Sequence, residues 1–252
     1  MMFRFVAPTL TAMWLLTSPS HAADFSALTD DERSAFGAQV RAYLLENPEV
    51  ILEAIQILEQ QQAAAEAQAD LSLVQENSDE LFNDGYSWVG GNPDGDITLV
   101  EFMDYRCGFC RRAVPEVADL LAADGNIRLV VKEFPILGEA STLSSRFAIA
   151  AKHVAGDDAY KQVHDALLEF GGDISDVTLR RLADGLGLDS DQIVAAMDSD
   201  EVSEEIARTR ALAQQLNISG TPTFVLETEL LRGFLPADQL QEIVNGIRNE
   251  RS

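Results

Sequence analysis

The chain has 252 residues and carries 18 Lys and Arg against 42 Asp and Glu, a formal net charge of -24 at pH 7. This excess of acid argues against a nucleic-acid partner, because phosphate binding needs a basic surface. The length allows one sizeable core together with a smaller additional segment.

Residues 1–22 have the pattern of a cleavable signal peptide. Arg4 supplies a positive charge, residues 5–16 are mostly apolar, and residues 20–22 place small side chains where a signal peptidase cuts. We expect cleavage after Ala22 or Ala23 and export to the periplasm. No later run of about 18 apolar residues predicts a membrane span.

Residues 23–84 are predicted to form an N-terminal helical segment. Thr29 and the acids after it cap a first helix that runs towards Glu46, and Asn47-Pro48-Glu49 has the residues that begin a second helix. The Ala- and Gln-rich residues 60–75 then indicate a solvated helix or a semi-rigid connector.

The second predicted helix has an apolar face wider than one packing partner usually covers. Two partners are compatible with this apolar face: the main domain of the same chain, or other copies of the chain. We favour self-association and therefore predict an oligomerisation segment. The large apolar side chains are Val50, Ile51, Leu52, Ile55, Ile57 and Leu58.

From residue 85 onward the pattern is α/β. A buried strand leads into a helix that begins at Cys107, and the next strand follows with the spacing of a parallel pair. A long helical stretch and an antiparallel hairpin come next, and a last helix ends the chain. The predicted bounds are strands 97–103 and 127–134, helices within 141–216, hairpin strands 223–226 and 230–234, and a final helix 236–248.

Cys107 and Cys110 are the only cysteines, and two residues separate them. Unpaired N–H groups and the helix dipole at the helix start favour the Cys107 thiolate, which makes it the attacking sulfur. Cys110, one turn later, is the resolving thiol, so the pair needs no cofactor. A structural disulfide would close too short a loop to stabilise much. A zinc site lacks ligands beyond His153 and His164, so we assign no metal.

These features together resemble the exported thioredoxin-fold proteins of the DsbA type. The resemblance implies a thioredoxin fold over residues 85–252 with a helical insert at about 138–216. It also implies a cis Pro222 that faces the cysteines, with Thr221 touching Cys107 and bound substrate. The sequence is most similar to the ScsC-like and Com1-like branch, through FMDYRCGFC (102–110), KEFPILG (132–138), GTPTF (220–224) and YLLENPEVILEA (43–54).

We assign substrate binding to Thr221 and Pro222 and to the dipeptide Gly108-Phe109 between the cysteines. This dipeptide lacks the histidine of oxidase-type DsbA, so helix N–H groups must do more to stabilise the thiolate. Arg106, Arg111 and Arg112 either add to that effect or are solvated surface side chains. Asp104 and Glu133 are candidates for taking the proton of Cys110, or are strand-end acids without that role.

The predicted function is a thiol:disulfide oxidoreductase that acts on unfolded or misoxidised exported proteins. The resemblance implies an oligomeric isomerase or reductase, with a trimer favoured and a membrane-bound thiol reductase as electron donor. Two alternatives stay open: a monomeric DsbA-like dithiol oxidase, or a Cu(I)-binding or holdase protein that uses the same two cysteines.

Overall fold

The computed structural model describes residues 29–251. The predicted signal peptide, residues 1–22, lies outside the described residues. The chain divides into two compact units, Met1–Gln60 and Gln61–Ser252. Among residues 29–251, none of the helices combines the length and the apolar character needed to cross a membrane.

Two helices begin in the first unit: α1 (Asp30–Glu46), and α2 (Glu49–Glu76), which continues into the second unit. The predicted cap of α1 is confirmed, since the Thr29 hydroxyl accepts from the Glu32 amide while the Glu32 carboxylate accepts from the Thr29 amide at 2.9 Å. Asn47 ends α1 by donating its amide to the Tyr43 carbonyl at 2.8 Å.

Nine large apolar side chains among residues 29–60 are exposed, with exposed fractions that run from 40% at Val40 to 69% at Leu45. A water-soluble helix rarely leaves so many adjacent apolar groups in solvent. The exposure of these apolar side chains is the physical reason to propose that other chains cover them. The set is Phe36, Val40, Tyr43, Leu45, Ile51, Leu52, Ile55, Ile57 and Leu58.

The second unit is built on a five-stranded sheet with the order β1-β3-β2-β4-β5. The two central strands, β2 and β3, are parallel, as their spacing predicts, and the other three pairs are antiparallel. The β4–β5 pair is the predicted hairpin. The strands are β1 (Trp88–Gly91), β2 (Ile97–Met103), β3 (Ile127–Glu133), β4 (Thr223–Leu226) and β5 (Glu229–Arg232).

Helices cover both faces of the sheet, which is why β2 and β3 are almost continuously apolar. One face packs against α4, α10 and the helical insert, and the other packs against the end of α2, α3 and α9. The predicted helical insert consists of α5 to α9. The helices are α3 (Ser78–Phe82), α4 (Gly108–Asp124), α5 (Glu139–Ala155), α6 (Asp157–Glu169), α7 (Asp176–Gly185), α8 (Ser190–Ala196), α9 (Asp200–Gln215) and α10 (Ala237–Glu250).

The end of α2 belongs to the second unit and packs on its sheet, although the sequence places the domain boundary near residue 84. Val74 and Leu81 are buried in one cluster with Phe102 and Phe134. Residues 60–69 are exposed, as expected of a solvated helix, whereas later residues join the core. The division therefore falls earlier in the chain, because a few apolar side chains within a mainly polar stretch reach the sheet.

Two ion pairs strengthen this attachment. Asp70 accepts two hydrogen bonds from the Arg232 guanidinium at 2.6 and 2.8 Å. Lys132, fully buried on β3, donates to the Asp84 carboxylate and to the Glu80 carbonyl. A buried ammonium needs such partners because its transfer from water is costly.

Candidate active site

Cys107 stands directly before α4 and serves as its N-cap residue, in an extended conformation. Its amide donates to the Asp104 carbonyl at 3.0 Å, which closes the turn between β2 and α4. Both cysteines are free thiols, and their exposed fractions are 7% for Cys107 and 1% for Cys110. The first cysteine thus lies at the edge of solvent and the second lies behind it.

The loop before β4 meets the cysteines. The peptide bond between Thr221 and Pro222 is cis. The Cys107 thiol donates to the Thr221 carbonyl across 3.1 Å, and the Pro222 carbonyl accepts from the Gly233 amide at 3.0 Å. The structure therefore brings Thr221 against Cys107, as the resemblance implies. The substrate-binding role of Thr221 and Pro222 stays a prediction.

Apolar side chains surround this edge. Phe109, with an exposed fraction of 53%, packs beneath the Arg112 guanidinium at 4.2 Å, and the same guanidinium lies 5.6 Å from the Phe234 ring centre. Ile136 and Leu137 are also exposed, on the loop that Asp104 ties to the cysteine turn. Gly108 is exposed as well, so the backbone between the cysteines is accessible.

The Asp104 carboxylate joins two loops through hydrogen bonds to their backbone amides. It accepts from the amide of Arg106 at 2.8 Å and from the amides of Ile136 and Leu137 at 2.8 and 3.0 Å. These bonds join the turn that carries Cys107 to the loop after β3. Asp104 therefore has a structural role, and its predicted role in proton transfer from Cys110 stays a prediction.

Glu133, the second acid proposed from the sequence, lies in a buried cluster of hydroxyl groups. Its Oε1 accepts from Tyr105 and Tyr160 at 2.6 Å each, and its Oε2 accepts from Ser145 at 2.7 Å. Burial raises the pKa of Glu133, and the three hydroxyl donors oppose that rise. The contacts of Glu133 are thus with hydroxyl groups instead of with Cys110.

Glu101 on β2 is a further buried acid, and it was not among the site residues predicted from the sequence. Burial, together with the charge of Glu133, raises the pKa of Glu101 to about 7. Burial raises the pKa of the Cys110 thiol well above its usual range, and the Glu101 charge adds to that rise. The available signal was its position as the sole charged residue in the apolar strand ITLVEFM.

A cavity of about 100 Å³ leads from Glu101 towards the surface. Lys161 and Asp165 line it at the half-exposed outer side, and His164 lines it further in. The rest of the lining is apolar and includes Trp88, Val117 and Leu121. Glu101 therefore borders a mainly apolar cavity with a few polar side chains on α6.

Two of the three arginines near the motif hold backbone carbonyls. Arg106 donates to the Gly172 carbonyl at 3.2 Å, and Arg111 donates to the carbonyls of Tyr105 and Phe170 at 3.0 and 2.8 Å. These bonds connect the cysteine turn to the helical insert. The reading of these two side chains as freely solvated is therefore wrong.

Two known protein families match parts of this chain. The DSBA-like thioredoxin domain matches residues 98–245, which is more than half of the chain. The chain belongs to the DSBA-like thioredoxin family. The N-terminal domain of the copper resistance protein ScsC matches residues 32–65, within the front helices. Both matches confirm the resemblance to the DsbA-type proteins and to the ScsC-like branch.

Two solved structures illustrate the DSBA-like fold. A thioredoxin-like oxidoreductase from Silicibacter pomeroyi DSS-3 is 45% identical, with a TM-score of 0.63, over 68% of this chain and 97% of that one. BcfH of Salmonella enterica Typhimurium is 27% identical, with a TM-score of 0.71, over 85% of this chain and 95% of that one. The predicted thioredoxin fold with a helical insert is confirmed.

Curated relatives include longer proteins that match this chain over part of their length. The Na(+)/H(+) antiporter NhaA 3 of Salinispora tropica is 31% identical over 136 residues, which are 54% of this chain and 21% of the antiporter. The chain spans about a fifth of the length of the curated relatives that it matches first.

Proposed function

We propose that this protein is a thiol:disulfide oxidoreductase that acts on the disulfides of exported proteins as an oligomeric isomerase or reductase. The observation that carries the proposal is the position of Cys107, which is the N-cap residue of α4 and whose thiol lies 3.1 Å from the Thr221 carbonyl. Exposed apolar side chains beside it provide a surface for an unfolded substrate chain.

The reaction begins with the Cys107 thiolate attacking one sulfur of a substrate disulfide. A Cys107–substrate disulfide forms, the substrate disulfide breaks, and the other substrate sulfur leaves as a thiolate that takes a proton from water. Thr221 and Pro222 lie where they can align the substrate backbone. The exposed dipeptide Gly108-Phe109 follows Cys107 directly in the chain.

The second half of the reaction has two outcomes. In isomerisation, a thiol of the substrate attacks the mixed disulfide and releases Cys107. In reduction, Cys110 attacks Cys107, and a Cys107–Cys110 disulfide forms while the substrate thiolate departs. Because burial raises the pKa of Cys110, its own attack is slow until a base takes the proton. Slow resolution leaves time for isomerisation.

Oligomerisation and cellular setting belong to the same proposal. The exposed apolar side chains of α1 and α2 lie in the region similar to the ScsC N-terminal domain, which supports a trimer of this chain. An isomerase must start from the dithiol, so a membrane-bound thiol reductase is the proposed electron donor. We place the protein in the periplasm, and misoxidised exported proteins are its proposed substrates.

The decisive experiment compares single cysteine variants on a scrambled multi-disulfide protein. Cys107→Ser should abolish both reduction and isomerisation, because it removes the nucleophile. Cys110→Ser should accumulate mixed disulfides, visible as reducible adducts in mass spectrometry. Equal loss in both variants without any adduct would contradict the proposed roles.

A further inference from the structure

Glu101 and Glu133 form a buried pair of acids on adjacent parallel strands. In the register of β2 and β3, Glu101 pairs with Val131 and Met103 pairs with Glu133. Paired residues of parallel strands face the same side, so the two carboxylates are diagonal neighbours. Val131 and Met103 lie in the cluster that faces α4, so both acids point towards the cysteine helix.

The two acids differ in their hydrogen bonds. Glu133 accepts from Tyr105, Tyr160 and Ser145. Within residues 29–251 we find no hydrogen-bond donor on the Glu101 carboxylate, which instead borders the cavity that opens to solvent. Burial raises the pKa of both acids to about 7; hydroxyl donors oppose that rise at Glu133, whereas the Glu133 charge adds to it at Glu101.

We propose that Glu133, fixed by its three hydroxyl donors, is a positioning residue that controls the protonation of Glu101 and thereby the rate at which Cys110 resolves a mixed disulfide. This inference rests on the proposed thiol–disulfide exchange activity and concerns the rate of its resolving step. Glu133 acts only through Glu101 and touches neither sulfur nor substrate.

The proton and electron movements of the controlled step balance. The Glu101 carboxylate takes the proton of the Cys110 thiol. The Cys110 sulfur bonds to the Cys107 sulfur, and the bond from Cys107 to the substrate sulfur breaks. The substrate thiolate leaves with the electron pair and is protonated from solvent, so the substrate is reduced and the cysteine pair is oxidised.

Several other ionisable groups face the two acids. His164 is neutral, because burial lowers its pKa to about 4. Since Tyr105 donates its single hydrogen to Glu133, the His164 Nδ1 group 3.0 Å away donates to the Tyr105 oxygen. The remaining groups that face the pair are Cys107 and Cys110 at α4, Tyr160, Lys161 and Asp165 on α6, and Lys152 on α5.

The test uses the full protein in its reduced form and a disulfide reagent that releases two equivalents of thionitrobenzoate. The first equivalent reports attack by Cys107, and the second reports resolution by Cys110. Stopped-flow absorbance separates the two phases and follows each one as a function of pH. Failure of the proposed function would remove the first phase, whereas failure of this inference concerns only the second.

In the unmodified protein the second-phase rate should rise with pH through a midpoint near 7, as Glu101 becomes a base. Glu133→Gln removes the neighbouring charge and should lower this midpoint by about one pH unit. Glu133→Asp keeps the charge and should therefore have the same midpoint as the unmodified protein. Glu101→Gln should remove the midpoint and slow the phase by about a hundredfold.

Ser145→Ala keeps Glu133 but removes one donor, so it should lower the midpoint in the same direction by a smaller amount. Asp70→Asn is the matched control: it also removes a buried carboxylate, but one that pairs with Arg232. The inference is overturned if Glu133→Gln and Ser145→Ala leave the midpoint unchanged, or if Asp70→Asn shifts it equally.

Discussion

Asp104 shows at the scale of one residue how a buried acid holds an active-site turn in place. Its carboxylate accepts three backbone N–H groups from two loops. Replacement by Asn leaves one oxygen as acceptor and places an NH₂ group against an amide. Asp104→Asn should therefore lower the free energy of unfolding by about 1 to 3 kcal/mol, measured by urea denaturation.

The Asp104→Asn variant also tests whether Asp104 only joins the two loops or also accepts a proton from Cys110. The pH midpoint of the second thionitrobenzoate phase should be retained in Asp104→Asn, because Glu101 is unchanged. Asp119→Asn, an exposed change of the same kind on α4, is the control and should leave the free energy of unfolding unaltered. Loss of the pH midpoint of the second phase, with the free energy of unfolding unchanged, would support a role for Asp104 in proton transfer.

At the scale of elements, the ion pair between Lys132 on β3 and Asp84 after α3 attaches the connector to the sheet. Burial opposes ionisation of Asp84, but the Lys132 charge outweighs it and holds the pKa of Asp84 below its usual value. Asp84→Asn should cost roughly 3 to 5 kcal/mol of the free energy of unfolding, since it leaves a buried ammonium without its charge partner.

This loss should depend on pH in a defined direction. The lowered folded-state pKa means that the Asp84 contribution is complete above its unfolded pKa of about 3.9 and is lost as pH falls through the folded value. Urea denaturation of both proteins across the acid range measures the difference. A constant difference between them down to the lowest pH would contradict this account.

The C-terminal half of α2 makes a second prediction at this scale. A chain that begins at Gln61 keeps Val74 and Leu81, which are buried against the sheet. A chain that begins at Gly85 loses both side chains and the partner of Lys132. We expect the longer form to be more stable by at least roughly 3 kcal/mol, because each large buried apolar side chain contributes about 1.5 to 3 kcal/mol. Equal urea midpoints for the two forms would show that the connector is dispensable.

At the scale of the whole molecule, the apolar side chains of the first unit decide the proposed oligomeric state. Ile55→Asp together with Leu58→Asp places two charges among exposed apolar groups and should convert the mature protein to a smaller species in light scattering. Isomerisation should fall, since fewer substrate-binding faces lie near one site. Reduction of a simple peptide disulfide should persist.

The control for this variant adds the same charge on the polar side of α2. Gln56→Asp together with Gln60→Asp should leave the mass and the isomerisation rate unchanged. A monomeric mature protein at micromolar concentration would refute the oligomer proposal and favour the dithiol oxidase alternative.

Local chemistry made several features predictable from the sequence. The Thr29 cap, the bounds of β2 and the start of α4 at the cysteines depend on residues close together in the chain, so their patterns indicate them directly. The resemblance added the approach of Thr221 to Cys107, which no local pattern contains.

Contacts between distant residues were decided only by the tertiary structure. Asp104 and Glu133 were selected because each stands next to a strand end, but their partners come from the loop after β3, from α5 and from α6. The apolar residues on both sides of Glu101 indicate that it is buried, but they do not indicate its neighbours across the sheet. Its role depends on which helix covers that strand and on which acid lies beside it, and these are set by packing across the sheet.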